Sequence, residues 1–156
     1  MKAAESSPEL RLTVELVPKP SWGRDLAKLA PRAAWEAIRR QAFKRHDGQC
    51  AICGAAAKYA HEVWEYEDAP HLQRLRDIIA LCELCHLVKH FGRTGILVRQ
   101  GKVNGAAVIQ HFLKINGCDR QTFEGHVREA FAVWEQRSQH TWTIDWGPHA
   151  QFVSHS

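Results

Sequence analysis

The stretch "LCELCHLVKH", residues 81–90, brings two cysteines and two histidines together near the middle of the chain. Cys82 and Cys85 are separated by two residues, and His86 and His90 follow directly behind them, four positions apart. Thiolates and imidazoles are the side chains that bind zinc and similar ions. The stretch therefore serves one metal site, two metal sites, or a zinc site with unrelated histidines.

A second cysteine pair, Cys50 and Cys53, gives the chain the pattern C-x2-C-x28-C-x2-C. Two such pairs can complete a closed tetrahedral zinc site, with no position left for another ligand. We therefore expect a structural zinc ion on Cys50, Cys53, Cys82 and Cys85, whose binding free energy contributes to folding. A redox dithiol pair or an iron–sulfur site is the alternative. The fifth cysteine, Cys118, is interpreted as a small core residue.

The interval between the two cysteine pairs is long enough to hold structure of its own. "AKYAHEVWEY" (residues 57–66) and "LRDIIALC" (residues 75–82) are rich in strand-forming residues, and the turn-like "EDAPH" lies between them. These features predict a β-hairpin followed by a helix at residues 83–91.

Histidines of the predicted hairpin and helix can meet. On the helix, His86 and His90 lie one turn apart on the same face. His61 lies on the first strand, and one face of that strand looks at the helix. We expect His61, His86 and His90 to bind a second ion, separate from the zinc that the cysteines enclose.

This combination of "CAIC", "HEVW", "RDIIALC" and "CHLVKH" resembles the HNH endonuclease family, in which two strands and a helix clasp a divalent cation. The resemblance covers residues 45–92. It implies a metal-dependent endonuclease that hydrolyses phosphodiester bonds of DNA, with Mg²⁺, Mn²⁺, Ni²⁺ or Zn²⁺ as the second ion. By position, it implies that His61, His86 and His90 are the metal ligands, that Glu62 is the general base, and that Asp77 stands where the family usually has Asn.

The chain departs from the family pattern at the base position. The family usually has His where this chain has Glu62, and glutamate is a weaker base near neutrality unless burial raises its pKa. A second register makes His61 the base and leaves Ala60 at a ligand position. The alternative function is therefore a catalytically inactive zinc protein of the same fold, acting as a nucleic-acid-binding or protein-interaction module.

Charge favours nucleic acid as the partner. The net charge is +4, and residues 24–46 hold seven arginines and lysines against Asp25 and Glu36. A basic strip of this kind neutralises phosphates and releases counterions, although it can also be a solvated helix face. The expected phosphate contacts are Arg39, Arg40, Lys44, Arg45, Lys89 and Arg93.

The chain of 156 residues fits a single domain, residues 1–156, of the α+β class. We expect a small zinc-stapled ββα-metal (HNH-like) core at 45–92, an N-terminal helix near residues 30–48, and a C-terminal helical hairpin at 103–140 that can bind a protein partner. Short strands are predicted at residues 10–18, 95–103 and 140–146. Because the sequence has neither a membrane-length apolar run nor a secretory signal pattern, we expect a cytoplasmic protein without a membrane partner.

Overall fold

The computed structural model describes residues 9–153. The helices are α1 (Leu26–Leu29), α2 (Arg32–Arg45), α3 (Glu83–Lys89), α4 (Phe91–Arg99), α5 (Gly105–Asn116) and α6 (Arg120–Arg137). The strands are β1 (Tyr59–Glu67), β2 (Leu72–Leu81) and β3 (Thr143–Asp145), and 3₁₀ turns occupy Lys19–Ser21 and Gly147–Phe152. The chain is mixed α+β, as predicted, with a small three-stranded sheet in the order β1-β2-β3.

The predicted hairpin forms two of the three strands of the sheet, with β2 in the middle. β1 and β2 pair antiparallel from Tyr59 opposite Leu81, and their register shifts between Val63 and Trp64. β3 pairs parallel with the first residues of β2, which confirms the short strand predicted at residues 140–146. The hairpin brings the two cysteine pairs together, because it returns the chain from one pair to the other.

The hairpin separates two apolar clusters, because successive strand residues point to opposite faces. Ile78 packs with Ile38 of α2 on one face. Its neighbour Ile79 packs against the cluster that holds Val88 of α3 and Phe112 of α5. Helices α2 and α3 therefore cover opposite faces of the hairpin.

Capping interactions define the ends of helices α5 and α6. The side chain of Asn104 accepts a hydrogen bond from the Ala107 amide at the start of α5. Asp119 does the same for α6 through the Thr122 amide. Gly117, with φ of 59°, takes the left-handed conformation that ends α5. The two predicted C-terminal helices are thus present and capped.

Two of the strands predicted from sequence are wrong. Residues 95–99 belong to α4, which follows α3 almost without a break, and buried Thr94 donates from its hydroxyl to the carbonyl of Leu87. The apolar residues of this stretch suggested strands, but Ile96 and Val98 are exposed on the helix. Tertiary packing decided this segment rather than strand propensity.

The segment at residues 10–18, here called the N-terminal strap, belongs to no helix or strand and bends at Arg11 and Leu12. The side-chain amide of Asn116 bonds to the N–H of Leu12 at 2.9 Å and to its carbonyl at 2.8 Å. The amide of Val14 bonds to Nε2 of His126 at 2.9 Å. Side chains of α5 and α6 therefore satisfy backbone groups that a sheet neighbour would otherwise satisfy.

Within residues 9–153, no helix combines the length and the apolar character that crossing a membrane requires.

Candidate metal centres

The four paired cysteines form one compact cluster. One sulfur from each of Cys50, Cys53, Cys82 and Cys85 lies within 4.8 Å of the others. The first pair lies in the turn before β1, while Cys82 is the N-cap of α3 and Cys85 lies in its first turn. Four sulfurs from two turns at this separation fit a tetrahedral zinc ion, so the cluster could hold zinc. Cys118 lies outside it and packs against the core.

The protein environment shifts the pKa values of three of these thiols in different directions. Burial opposes ionisation of Cys50, but backbone N–H groups outweigh it and lower its pKa to about 7. Burial raises the pKa of Cys82 to about 11 and that of Cys85 still further. Because zinc binds thiolates, loading the cluster must release protons, and zinc affinity should rise with pH.

His111 of α5 is a neighbour of this cluster that the sequence did not reveal. Its Nε2 atom lies 3.2 Å from Sγ of Cys85. An imidazole N–H that donates to a ligating sulfur offsets part of the thiolate charge and orients the ligand. His111 is 26 residues from Cys85 and has no ligand spacing of its own, so helix packing alone brings it here.

The three predicted histidines also come together. Ligand nitrogens of His61, His86 and His90 lie within 4.8 Å of one another. The ring centroid of His90 is 5.0 Å from that of His61 and 4.6 Å from that of His86. His61 comes from β1, His86 lies in α3, and His90 is the C-cap of α3, with its N–H bonded to the carbonyl of His86. This histidine triad could hold a metal ion such as zinc, apart from the four cysteines.

The surroundings of the triad keep its helical members neutral. Burial and the neighbouring imidazoles lower the pKa of His86 to about 3, and burial together with the nearby His61 ring lowers the pKa of His90 to about 4. The ring of Tyr59 stacks on His86 with centroids 4.4 Å apart. Neutral imidazole is the form that binds metal, so these two histidines are ready ligands at neutral pH.

Two charged residues support His61: Glu15, which the sequence did not place at the site, and Lys89, which was expected there as a phosphate contact. Nε2 of His61 lies 3.0 Å from Oε2 of Glu15, whose other oxygen accepts from Nζ of Lys89 at 2.7 Å. Although burial raises the pKa of Glu15, its hydrogen bond with His61 and the charge of Lys89 lower that pKa to about 2. Lys89 was expected to contact phosphate, but its side chain is only 7% exposed and is occupied by Glu15, which corrects that expectation.

Glu62, expected as the general base, does not join the triad. It follows His61 directly on β1, so its carboxylate points to the opposite face, where both oxygens lie 3.3 Å from the amide of Leu26. Burial raises its pKa to about 7. Asp77, expected beside the catalytic loop, accepts from Arg45 at 2.9 Å and so connects α2 to β2. This placement corrects the base role expected for Glu62, whereas the role expected for Asp77 stays a prediction.

The remaining basic residues divide between the two faces of the hairpin. On α2, Arg39 donates to the carbonyl of Lys58, and Arg45 donates to that of Ile78. The side chains of Arg40 and Lys44 are exposed on the same helix. On the other face, Arg93 is also exposed, and it lies close enough to His86 and His90 to lower the pKa of both. The residues expected to contact phosphate are as follows: Arg39, Arg40, Lys44 and Arg45 belong to the α2 side, Arg93 to the triad side, and Lys89 to the interior.

Comparisons of the chain with protein-family models, with curated proteins and with solved structures found no match. The interpretation of the site therefore rests on the chemistry and geometry of the two clusters.

Proposed function

We propose that this protein is a metal-dependent endonuclease of the HNH type that hydrolyses phosphodiester bonds of DNA. The observation that carries the proposal is the histidine triad, in which one ligand comes from a β-hairpin and two come from the helix behind it, within 4.8 Å of one another. The four-cysteine cluster lies at the base of the same helix and would hold that helix in place when zinc binds.

The triad histidines and the neighbouring Arg93 would have different roles in such a reaction. A divalent ion bound there would stabilise the negative charge that develops on the phosphate and would lower the pKa of water. His61, His86 and His90 would hold the ion, and exposed Arg93 would attract the phosphate. Glu15 is a poor proton acceptor at neutrality, because its carboxylate is occupied by His61 and Lys89 and its pKa is about 2.

One observation favours a second candidate, a catalytically inactive nucleic-acid-binding protein. The residue at the family's base position, Glu62, faces away from the triad and bonds to α1. A chain that kept the metal-stapled fold without the base could still bind phosphates through exposed Arg40 and Lys44 of α2. The C-terminal helices would then remain available to a protein partner.

Nicking of a supercoiled plasmid by the zinc-loaded protein separates these candidates. We expect cleavage with at least one of Mg²⁺, Mn²⁺, Ni²⁺ and added Zn²⁺, and a loss of about 100-fold or more in His61→Ala and His86→Ala. His140→Ala, which removes an exposed histidine after α6, is the matched control and should cleave normally. Cleavage that survives both triad substitutions would refute the site, and DNA binding without cleavage would support the second candidate.

A further inference from the structure

The N-terminal strap carries an acidic side chain to the triad from far away in the sequence. Leu12 and Val14 are buried in the core, and the amide of Glu15 donates to the carbonyl of Lys89 at 3.0 Å. The strap therefore lies against the end of α3, where the helical histidines are. Its position leaves the carboxylate of Glu15 beside His61, 46 residues further along the chain.

The strap is fastened by the C-terminal helices. Asn116 of α5 holds both backbone groups of Leu12, and His126 of α6 accepts from the amide of Val14. Side-chain bonds of this kind satisfy the backbone groups of a segment that has no sheet partner here. Helices α5 and α6 thus help to hold the strap in the position from which Glu15 reaches His61.

The Glu15 carboxylate bridges two buried partners. One oxygen lies 3.0 Å from Nε2 of His61, which is 4% exposed, and the other accepts from Lys89, whose ammonium also bonds to Oγ1 of Thr13 at 3.1 Å. Removing a carboxylate from such a position would leave a buried ammonium without a counter-ion. The ion pair therefore fixes the carboxylate in one orientation toward the imidazole.

An imidazole that donates from one nitrogen presents a lone pair on the other. When Nε2 of His61 carries the proton and donates to Glu15, Nδ1 is the nitrogen that can bind an ion. Carboxylates that accept from metal-binding histidines fix both the tautomer and the ring orientation, and their loss typically weakens metal binding by about 10- to 100-fold.

We propose that Glu15 is a positioning residue of the histidine triad: it accepts the Nε2 proton of His61 and directs Nδ1 toward the ion shared with His86 and His90. Lys89 holds the carboxylate in place, and α5 and α6 hold the strap that carries it. The inference rests on ion binding by the triad, which the proposed function also requires, but it does not depend on DNA cleavage.

Two measurements on the zinc-loaded full chain test this role. The first is the tautomer of His61, read from ¹⁵N shifts of the imidazoles without a second ion. The second is the affinity of the triad for Co²⁺, measured by calorimetry and by visible absorption. The variants are Glu15→Gln and the double variant Glu15→Gln/Lys89→Met, which leaves no buried ammonium unpaired and so protects the test against misfolding. Glu9→Gln, an exposed change just before the strap, is the matched control.

We expect the wild type and the control to show His61 protonated at Nε2, and both Glu15 variants to bind Co²⁺ about 10-fold more weakly. Unchanged Co²⁺ affinity in the double variant, or a wild-type His61 protonated at Nδ1, would overturn the role of Glu15. Loss of plasmid nicking with normal Co²⁺ binding would instead remove the proposed activity and leave this inference standing.

Discussion

Cys85 and His86 are consecutive residues of α3 that belong to different clusters, Cys85 to the four cysteines and His86 to the histidine triad. The helix has seven residues, too few for stability on its own in water. Cys82 caps it, and the Cys85 amide donates to the Cys82 sulfur at 3.4 Å. Zinc at the cysteines would therefore fix the helix that presents two of the three imidazoles.

Loss of zinc should weaken the triad. Cys53→Ser removes one sulfur from the turn before β1 and leaves the sequence of α3 intact. We expect it to lose zinc, to unfold at lower temperature, and to bind Co²⁺ at the triad at least about 10-fold more weakly, because α3 is no longer fixed. Metal analysis, thermal unfolding and calorimetry measure these effects. Cys118→Ser lies outside the cluster and should retain zinc, and normal triad affinity in a zinc-free Cys53→Ser protein would contradict the coupling.

The contact between His111 and Cys85 should contribute to zinc retention. His111→Phe keeps a ring of similar size but removes the nitrogen that lies 3.2 Å from the sulfur. We expect about 10-fold weaker zinc binding, measured by competition with a chromophoric chelator, because the thiolate loses a donor. The same replacement at exposed His140 should leave zinc affinity unchanged. Equal affinities in the two variants would show that His111 only packs beside the cluster.

Burial of Glu62 predicts a pH dependence of stability. Its folded pKa of about 7 lies above its ordinary value of 4.5, so the folded protein holds a proton that the unfolded chain releases. Its contribution to stability is therefore fully present below pH 4.5 and is lost as pH rises through about 7. The shift corresponds to at most about 3 kcal/mol, since one pKa unit is about 1.4 kcal/mol.

Glu62→Gln removes this titration while keeping an acceptor for the Leu26 amide. We expect the variant to be more stable than the wild type by about 1–3 kcal/mol at pH 8, with a smaller advantage at pH 5.5. Urea unfolding at both pH values measures the difference. Glu36→Gln, an exposed change on α2, should show no such pH-dependent gain. A Glu62→Gln advantage that is the same at both pH values would mean that burial does not raise this pKa.

Local patterns predicted most members of the two clusters, and the spacing of these residues explains why. Two residues between cysteines form a single turn, and four positions between His86 and His90 form one helical turn, so each pair was visible in the sequence. The hairpin was predictable from its strand-forming residues, and it explains how His61 meets the helix. Spacing over a few residues was thus sufficient to predict most members of the two clusters.

The supporting residues depend on long-range packing and had no local signal. Glu15 reaches His61 through a strap whose backbone bonds come from α5 and α6, and His111 reaches Cys85 by helix packing. The base role of Glu62 came from family resemblance, whereas strand alternation alone places it opposite His61. The buried position of Lys89 likewise follows from Glu15, which no pattern connected to it.

Substitution of exposed basic residues can show which face of the hairpin binds DNA. Arg93 lies beside the triad, and Arg40 and Lys44 are exposed on α2, on the other face. If DNA lies across the triad, Arg93→Gln should weaken DNA binding, reduce the slope of log affinity against log salt by about 1, and slow cleavage about 10-fold or more. The matched double variant Arg40→Gln/Lys44→Gln removes more charge but should change neither cleavage nor the slope.

Fluorescence anisotropy with a labelled duplex at several salt concentrations, together with plasmid nicking, measures both effects. The reverse pattern, with binding lost in the α2 variant and retained in Arg93→Gln, would place DNA on the face away from the histidines. Because the ion can act only on a phosphate that reaches it, that result would favour a protein that binds nucleic acid through α2 and does not cleave it. Arg93→Gln therefore discriminates between the two candidate functions, because Arg93 lies on the face of the hairpin that carries the triad.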